Sequence, residues 1–521
     1  MIRSLVRSPG GAAYKLAKQR GQVYSMPAPV GGWNAREGLA LMKETDAVIL
    51  DNWFPRASDV KVRNGYSLHA SGLGAAIDSL MSWNGPVSSK LFAATSTKIY
   101  NVTAAGAVGA ADISSLTSGR WQHVNFGTSA GAFLYLVNGV DDPRYYNGTS
   151  WTTPTITGSG LTPANLIHVN VFKKALFFIE ENKLGFWYFP VNTISGAISY
   201  FDVSPYCRLG GYMMAMGTWT RDGGSGLDDI AVFITSMGEV LVYQGTDPGT
   251  ANAWALVGQF NIGAPIGRRC MTKVGTDLIL ATVDGFGPIS RLLPSARTDT
   301  NSIVSDKIFG AVQLASRSYK SNFGWQPFFY PRGGMVIFNI PLIEGTTAHQ
   351  YVSNSTTGAW CRFKNMNANC WELCNDNAYF GGNGSVYLSD DGLDDDGSDI
   401  MTDVQTAFSY LKARGILKKF NMARPILTTD GIARVALEAS VDFEDVVPSA
   451  TPAFTPGTGG EWDTATWDVD GWSDSAQIQK NWQSINGLGY AVGMRMTTSS
   501  NGGNISWNTT DILWEKAAGM L

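Results

Sequence analysis

One pattern recurs along this chain and limits its folding more than any other. An apolar run is followed by a turn rich in Gly, Asn or Asp, and then by a second apolar run. LFAATSTKIYNV begins at Leu91, LYLVNGVDDPRYYNG at Leu134, LFFIEENKLGFWYF at Leu176 and AVFITSMGEVLVYQG at Ala231. LILATVDGFGPIS follows at Leu278, MVIFNIP at Met335 (with HQYVSNSTTGAWCRF from His349) and AYFGGNGSVYLSD at Ala378. Successive starts fall 42 to 57 residues apart, and a four-stranded propeller blade takes roughly 40 to 50. The expected fold is therefore all-β, a β-propeller of about seven blades, with six to eight compatible with the spacing. A ring leaves only short, protected sheet edges, which suits a repeat of this size. The longer gaps read as loop insertions, such as TWTRDGGSGLDD before Ile230. Separate hairpins in stacked β-sandwiches are the alternative.

Within the unit Leu134–Trp151, Asn138-Gly139 and Asn147-Gly148 read as tight hairpin turns, because a two-residue turn needs positive φ at both central positions. Trp121, Trp151, Trp254 and Trp360 sit at comparable places in their units. A Trp there fills the wedge between neighbouring sheets. Composition agrees. With 59 Gly, 12% aromatic and 16% charged residues, against roughly 25% charged in an average protein, the chain favours many short strands over helical bundles.

The flanks differ from the repeat. Residues 1–60 read as a basic N-terminal arm (Arg3, Arg7, Lys15, Lys18, Arg20) followed by a short helix over Glu37–Leu50. Residues 61–400 form the propeller body, and 401–521 a C-terminal β-sandwich that includes Trp462, Trp467 and Trp472. Val60–Leu68 is a strand-turn-strand candidate to close the ring against the last blade. SDDGLDDDGSD, with Asp390, Asp391, Asp394, Asp395, Asp396 and Asp399, reads as a solvated acidic linker. It lacks the spacing and trailing Glu of an EF-hand calcium loop.

No catalytic, cofactor or metal residues are assigned. Cys207, Cys270, Cys361, Cys370 and Cys374 are odd in number and lack paired zinc spacing, so they read as reduced structural thiols. His69, His123, His168 and His349 are far apart in the chain. The pairs Glu180-Glu181 and Asp228-Asp229 are adjacent, and adjacent strand residues point to opposite faces. They therefore do not form the convergent carboxylates of a glycosidase. GTSAG, centred on Ser129, precedes a strand and not the helix a nucleophile elbow requires. The net charge of −4 gives no basic footprint for wrapping nucleic acid. No apolar run approaches the roughly 20 residues of a membrane-spanning helix, and the basic first residues lack the apolar core of a secretory signal.

Three stretches carry a family resemblance: DNWFPRASDVKVRNGY (Asp51–Tyr66), WQHVNFGTSAGAFLYLVNGVDDPRYYNGTSW, and DFEDV with the later Trp cluster and closing SWNTTDILWEKAAGML. In these the chain resembles the tail hub or nozzle proteins of short-tailed bacteriophages, also called packaged-DNA stabilisation proteins. The resemblance implies a structural, non-enzymatic virion protein of the tail, assembled in the bacterial host cytoplasm as a homohexameric ring. Such a ring extends the portal-adaptor channel, retains and guides genomic DNA without reading its sequence, and carries tail fibres or needle and plug proteins. A receptor-binding propeller or adhesin, and a tail-associated glycan depolymerase, are the alternatives.

Overall fold

The computed structural model describes residues 21–222, 227–250, 252–294, 303–430, 433–448, 453–454 and 477–517. The basic arm and Trp462, Trp467 and Trp472 lie outside the described residues. Strand accounts for 55% of the structure and helix for 6%.

Seven small antiparallel sheets close into a ring. Blade 1 runs from the second half of the long strand Tyr66–Asn84 through Ser89–Thr95 and Ile99–Asn101. Blades 2, 3 and 4 are four-stranded meanders over residues 122–152, 166–202 and 213–261. Blade 5 has the strands Met271–Val274, Asp277–Thr282 and Gly285–Pro288, and blade 6 spans 326–363. Blade 7 takes three strands from 370–389 and its fourth from the first half of Tyr66–Asn84, so one strand belongs to the first blade and the last. The ring-closing strand expected near Val60–Leu68 is thus Tyr66 onward. Val60–Val62 pairs elsewhere.

The sequence signal for this ring is the unbroken apolar run. In Ala175–Glu180 every residue is buried. Leu176 and Phe178 pack into the core shared with blade 2, while Phe177 and Ile179 pack into the core shared with blade 4. Ala231 and Phe233 divide from Val232 and Ile234 in the same way. A strand covered on both faces loses the apolar/polar alternation of a half-exposed strand. Trp121 and Trp360 are fully buried in these cores, and Trp151 and Trp254 pack against them.

Two local expectations are corrected. The Asn-Gly pairs open longer loops, Asn138–Pro143 and Asn147–Ser150, in place of two-residue turns. Gly139 and Gly148 have φ of 85° and 95°, but neither Asn does. Each Asn side chain instead accepts bonds from backbone N–H groups two and three residues on, which fixes the loop as an Asx turn. The expected helix over Glu37–Leu50 is a turn followed by the strand Asp46–Asp51. A short apolar run fits either period, and here pairing with Ile400–Thr406 decides it.

Residues 22–62 supply strands to the sandwich. One sheet joins Asp46–Asp51, Ile400–Thr406, Val492–Ser500 and Ala433–Val441. The other joins Lys418–Thr429, Ile505–Lys516, Val60–Val62 and Trp53–Pro55, with Gln22–Pro27 also on Ile505–Lys516. Val404, Val435 and Met496 from the first sheet share a core with Phe420, Trp507 and Ile512 from the second. The propeller is therefore inserted within a sandwich built from both flanks of the chain. The first sheet also runs on from blade 6, where Asp51 sits beside Arg362. The acidic stretch is folded against this junction and is not a solvated linker. Asp395 is 6% exposed and holds Arg63, and a side chain on Gly65 would overlap the Asp394 carbonyl.

Candidate functional site

The first strand of each blade lines the ring axis, and two cavities lie along it. The outer one, about 590 Å³, opens on the face where those strands begin. The inner one, about 460 Å³, continues down the axis, and the two share Gln122, Arg268 and Arg269 at their waist.

The outer cavity is rimmed by loops from blades 1, 2, 5 and 6. The loop before blade 2 brings Arg120. The loop before blade 5 brings Arg268 and Arg269. The helix Phe309–Tyr319, which occupies part of the longest repeat gap, delivers Lys320 and Phe323 just before blade 6. Two guanidiniums flank one ring: those of Arg120 and Arg269 lie 4.3 Å and 5.0 Å from the Phe323 centroid, within cation–π range. Arg120 pairs with Glu344, and Arg268 with Glu181 at 3.0 Å. Arg269 donates to Ser79 Oγ (2.5 Å) and to the Trp121 carbonyl (3.1 Å). Among the described residues, neither Arg269 nor Lys320 has a carboxylate within ion-pair distance. Burial lowers the Arg269 guanidinium from its ordinary value, against the pull of the Cys370 thiol, Asp78 and Glu372. Burial likewise raises Asp78 despite Arg120 and Arg269.

The inner cavity has a different chemistry. Glu372 accepts from Ser82 Oγ at 2.6 Å and lies 3.3 Å from His123 Nε2. The carboxylate is the middle member, so His123 does not bridge to the hydroxyl as a general base would. His168 Nε2 is 2.9 Å from the Met216 carbonyl, and its Nδ1 has no partner. That carbonyl makes Nε2 the protonated nitrogen of a neutral ring. Burial, with Arg268 nearby, pushes the imidazole down to about 4.

The residues weighed from sequence fall mostly outside this axis. Glu180 is buried against Lys183 and the Trp187 indole, while Glu181 turns to Arg268. Ser129 lies in the turn between Gln122–Thr128 and Gly131–Val137. Asp229 accepts from Thr220. All five cysteines are free, and four are buried. No group of three or more His, Cys, Asp or Glu able to hold a metal occurs among the described residues. No helix among them is long and apolar enough to cross a membrane. Sequence reading missed the basic axial cluster, because its members come from the loops before three different blades. The adjacent Arg268-Arg269 was the one local sign.

No protein-family model matches the chain, and no curated protein does. Among solved structures it is similar to YCF48 bound to D1 peptide, at 10% identity and TM-score 0.37, covering 62% of this chain and 94% of that one. It is also similar to a glycoside hydrolase family 43 arabinoxylan arabinofuranohydrolase from Bacillus subtilis in complex with cellotetraose, at 8% identity and TM-score 0.26, covering 85% and 96%. Likenesses this distant bear on neither mechanism nor partner.

Proposed function

We propose that this protein is a structural component of a short-tailed phage tail, a hub or nozzle subunit that forms a six-fold ring beneath the portal and adaptor. The observation that carries the reading is mechanical. One sheet runs from blade 6 into the sandwich, and residues from both flanks of the chain are locked into that sandwich. The two parts form a continuous body suited to transmitting force and not to hinging. Arg268 and Arg269 narrow the propeller axis between two small cavities, so a duplex would pass through the lumen of the ring and not through one propeller. The chain carries a net charge of −4. A lumen without a strong basic lining avoids the counterion release that would hold DNA fast. Ring closure requires a heterologous contact repeated around the axis.

The test is a reconstruction of the virion. Six copies around the tail axis below the portal support the reading. Copies confined to the ends of radial fibres would replace it with a receptor-binding role.

A further inference from the structure

The outer axial cavity has features that a structural ring does not need. Four cationic side chains converge there from three loops, and two of them, Arg269 and Lys320, have no ion pair among the described residues. The carboxylates in or beside the cavity are Asp78, Asp141, Glu181 and Glu344. Asp141 accepts from the Thr117 and Ser118 backbone N–H groups and the Asn138 amide, and the two glutamates are paired with Arg268 and Arg120. Burial disfavours the charged form of Asp78. Arg269 and Lys320 are therefore cations at the cavity with no carboxylate in ion-pair contact among the described residues.

Neutral polar groups complete the lining. Ser96, Gln122 and Ser321 line the cavity, and their side chains have no hydrogen-bond partner among the described residues. Gln122 is 9% exposed and sits at the waist, where it lines both cavities. These groups offer donors and acceptors at several separated points. A bare inorganic ion engages one charge centre and would leave most of that lining unused. A cavity of about 590 Å³ falls within the range of small-molecule sites, roughly 300–1,000 Å³. Arginine favours carboxylates because its planar fork meets both oxygens at once.

We propose that this cavity binds a carboxylate-bearing sugar, with Arg269, Arg120 and Lys320 receiving the carboxylate and Ser96, Gln122 and Ser321 meeting hydroxyl groups. Phe323, held between Arg120 and Arg269, sets the spacing of the two forks. The site goes beyond the ring role. It is a recognition site on the propeller axis, and failure to bind sugar would leave the ring proposal untouched.

The test is calorimetric titration of the full chain with glucuronate, N-acetylneuraminate, glucose and inorganic phosphate, each at low and high salt. At least one of the two acidic sugars is expected to bind about tenfold more tightly than glucose or phosphate, with affinity falling as salt rises. Arg120→Ala combined with Lys320→Ala changes two exposed side chains and should weaken that binding by about tenfold, with the melting temperature held within a few degrees. Arg269→Gln, checked for folding by circular dichroism, should weaken it further. Acidic sugars binding no better than glucose would overturn the proposal, as would affinity unchanged in the folded variants. Phosphate binding as tightly as either acidic sugar would overturn the sugar assignment.

Discussion

Arg63 and Asp395 form a two-pronged ion pair across the base of the propeller, with Nη1–Oδ1 at 2.7 Å and Nη2–Oδ2 at 2.6 Å. Both side chains are almost fully buried, at 1% and 5% exposure. Arg63 also donates to Asn52 Oδ1 and to the carbonyls of Asn64 and Lys364. The guanidinium therefore joins the N-terminal strands, the end of blade 6 and the acidic loop. Removing one member leaves a buried charge without its partner. Arg63→Ala is expected to cost about 3–5 kcal/mol. An Arg63→Met, Asp395→Leu double variant should recover much of that loss. Urea unfolding of Arg63→Met, Asp395→Leu and the double variant checks it, and strictly additive losses would contradict the coupling.

Acid should destabilise the fold through His168. Its folded-state value of about 4 lies below the usual 6.5 because the ring is buried. Below pH 6.5 the unfolded chain takes up a proton that the folded chain refuses. Stability is therefore fully present above 6.5 and declines as pH falls toward 4. A shift of this size corresponds to roughly 3 kcal/mol at the acid end. His349, pushed down to about 4 by burial and by Arg362 and Lys364, acts in the same direction. His168→Gln should flatten the fall in melting temperature between pH 6.5 and 4, whatever it costs at neutral pH. An unchanged slope would remove His168 as the cause.

The thiols should be inert in the native state. Burial raises Cys270 and Cys370 to about 12, and raises Cys207 and Cys374 to about 11. Cys361 is raised well above its ordinary value. Since the thiolate is the reactive form, a water-soluble thiol reagent near neutral pH should label the folded chain slowly, with half-buried Cys207 first. All five should react once the protein is unfolded in denaturant. Reductant should leave the melting temperature unchanged.

The junction between propeller and sandwich should fail at Asp51. Its carboxylate is 3% exposed and receives Arg362 at 2.6 and 2.8 Å and Lys364 at 2.6 Å. Asp51→Asn keeps the shape and removes the charge. It should cost about 2–3 kcal/mol, less than a fully buried pair, because both cations reach solvent. Calorimetry should show the single unfolding transition broadening or splitting as the two parts uncouple. A lower but equally sharp transition would mean that the shared sheet alone holds them together.

The ring was legible in the chain because its signal is local and repeated. Runs such as Ala175–Glu180 are apolar throughout because a blade strand is covered on both faces, and the Trp residues mark the wedges between blades. Pairing at long range was not legible. Nothing in Asp46–Asp51 announces a partner at Ile400–Thr406, so its apolar spacing passed for a helix. The acidic loop looked solvated because its burying partner, Arg63, is more than three hundred residues away. The axial cavity was hidden for the same reason, since Asp78, Arg120, Arg269 and Lys320 meet only when the ring closes.

The insertion of the propeller into the sandwich also sets a timetable for synthesis. Ser25 hydrogen-bonds Asp511, 486 residues later in the chain, and the strand that carries it pairs along Ile505–Lys516. At about 5–20 residues per second on the ribosome, that early strand waits roughly 25 to 100 seconds for its neighbour. Blade 7 must likewise wait for residues near 385 before it can take up the strand made at Tyr66. During that interval the nascent chain presents an unpaired edge, open to the wrong strand or to another copy. Chaperone occupancy and translation speed should therefore govern its yield more strongly than the stability of the finished fold.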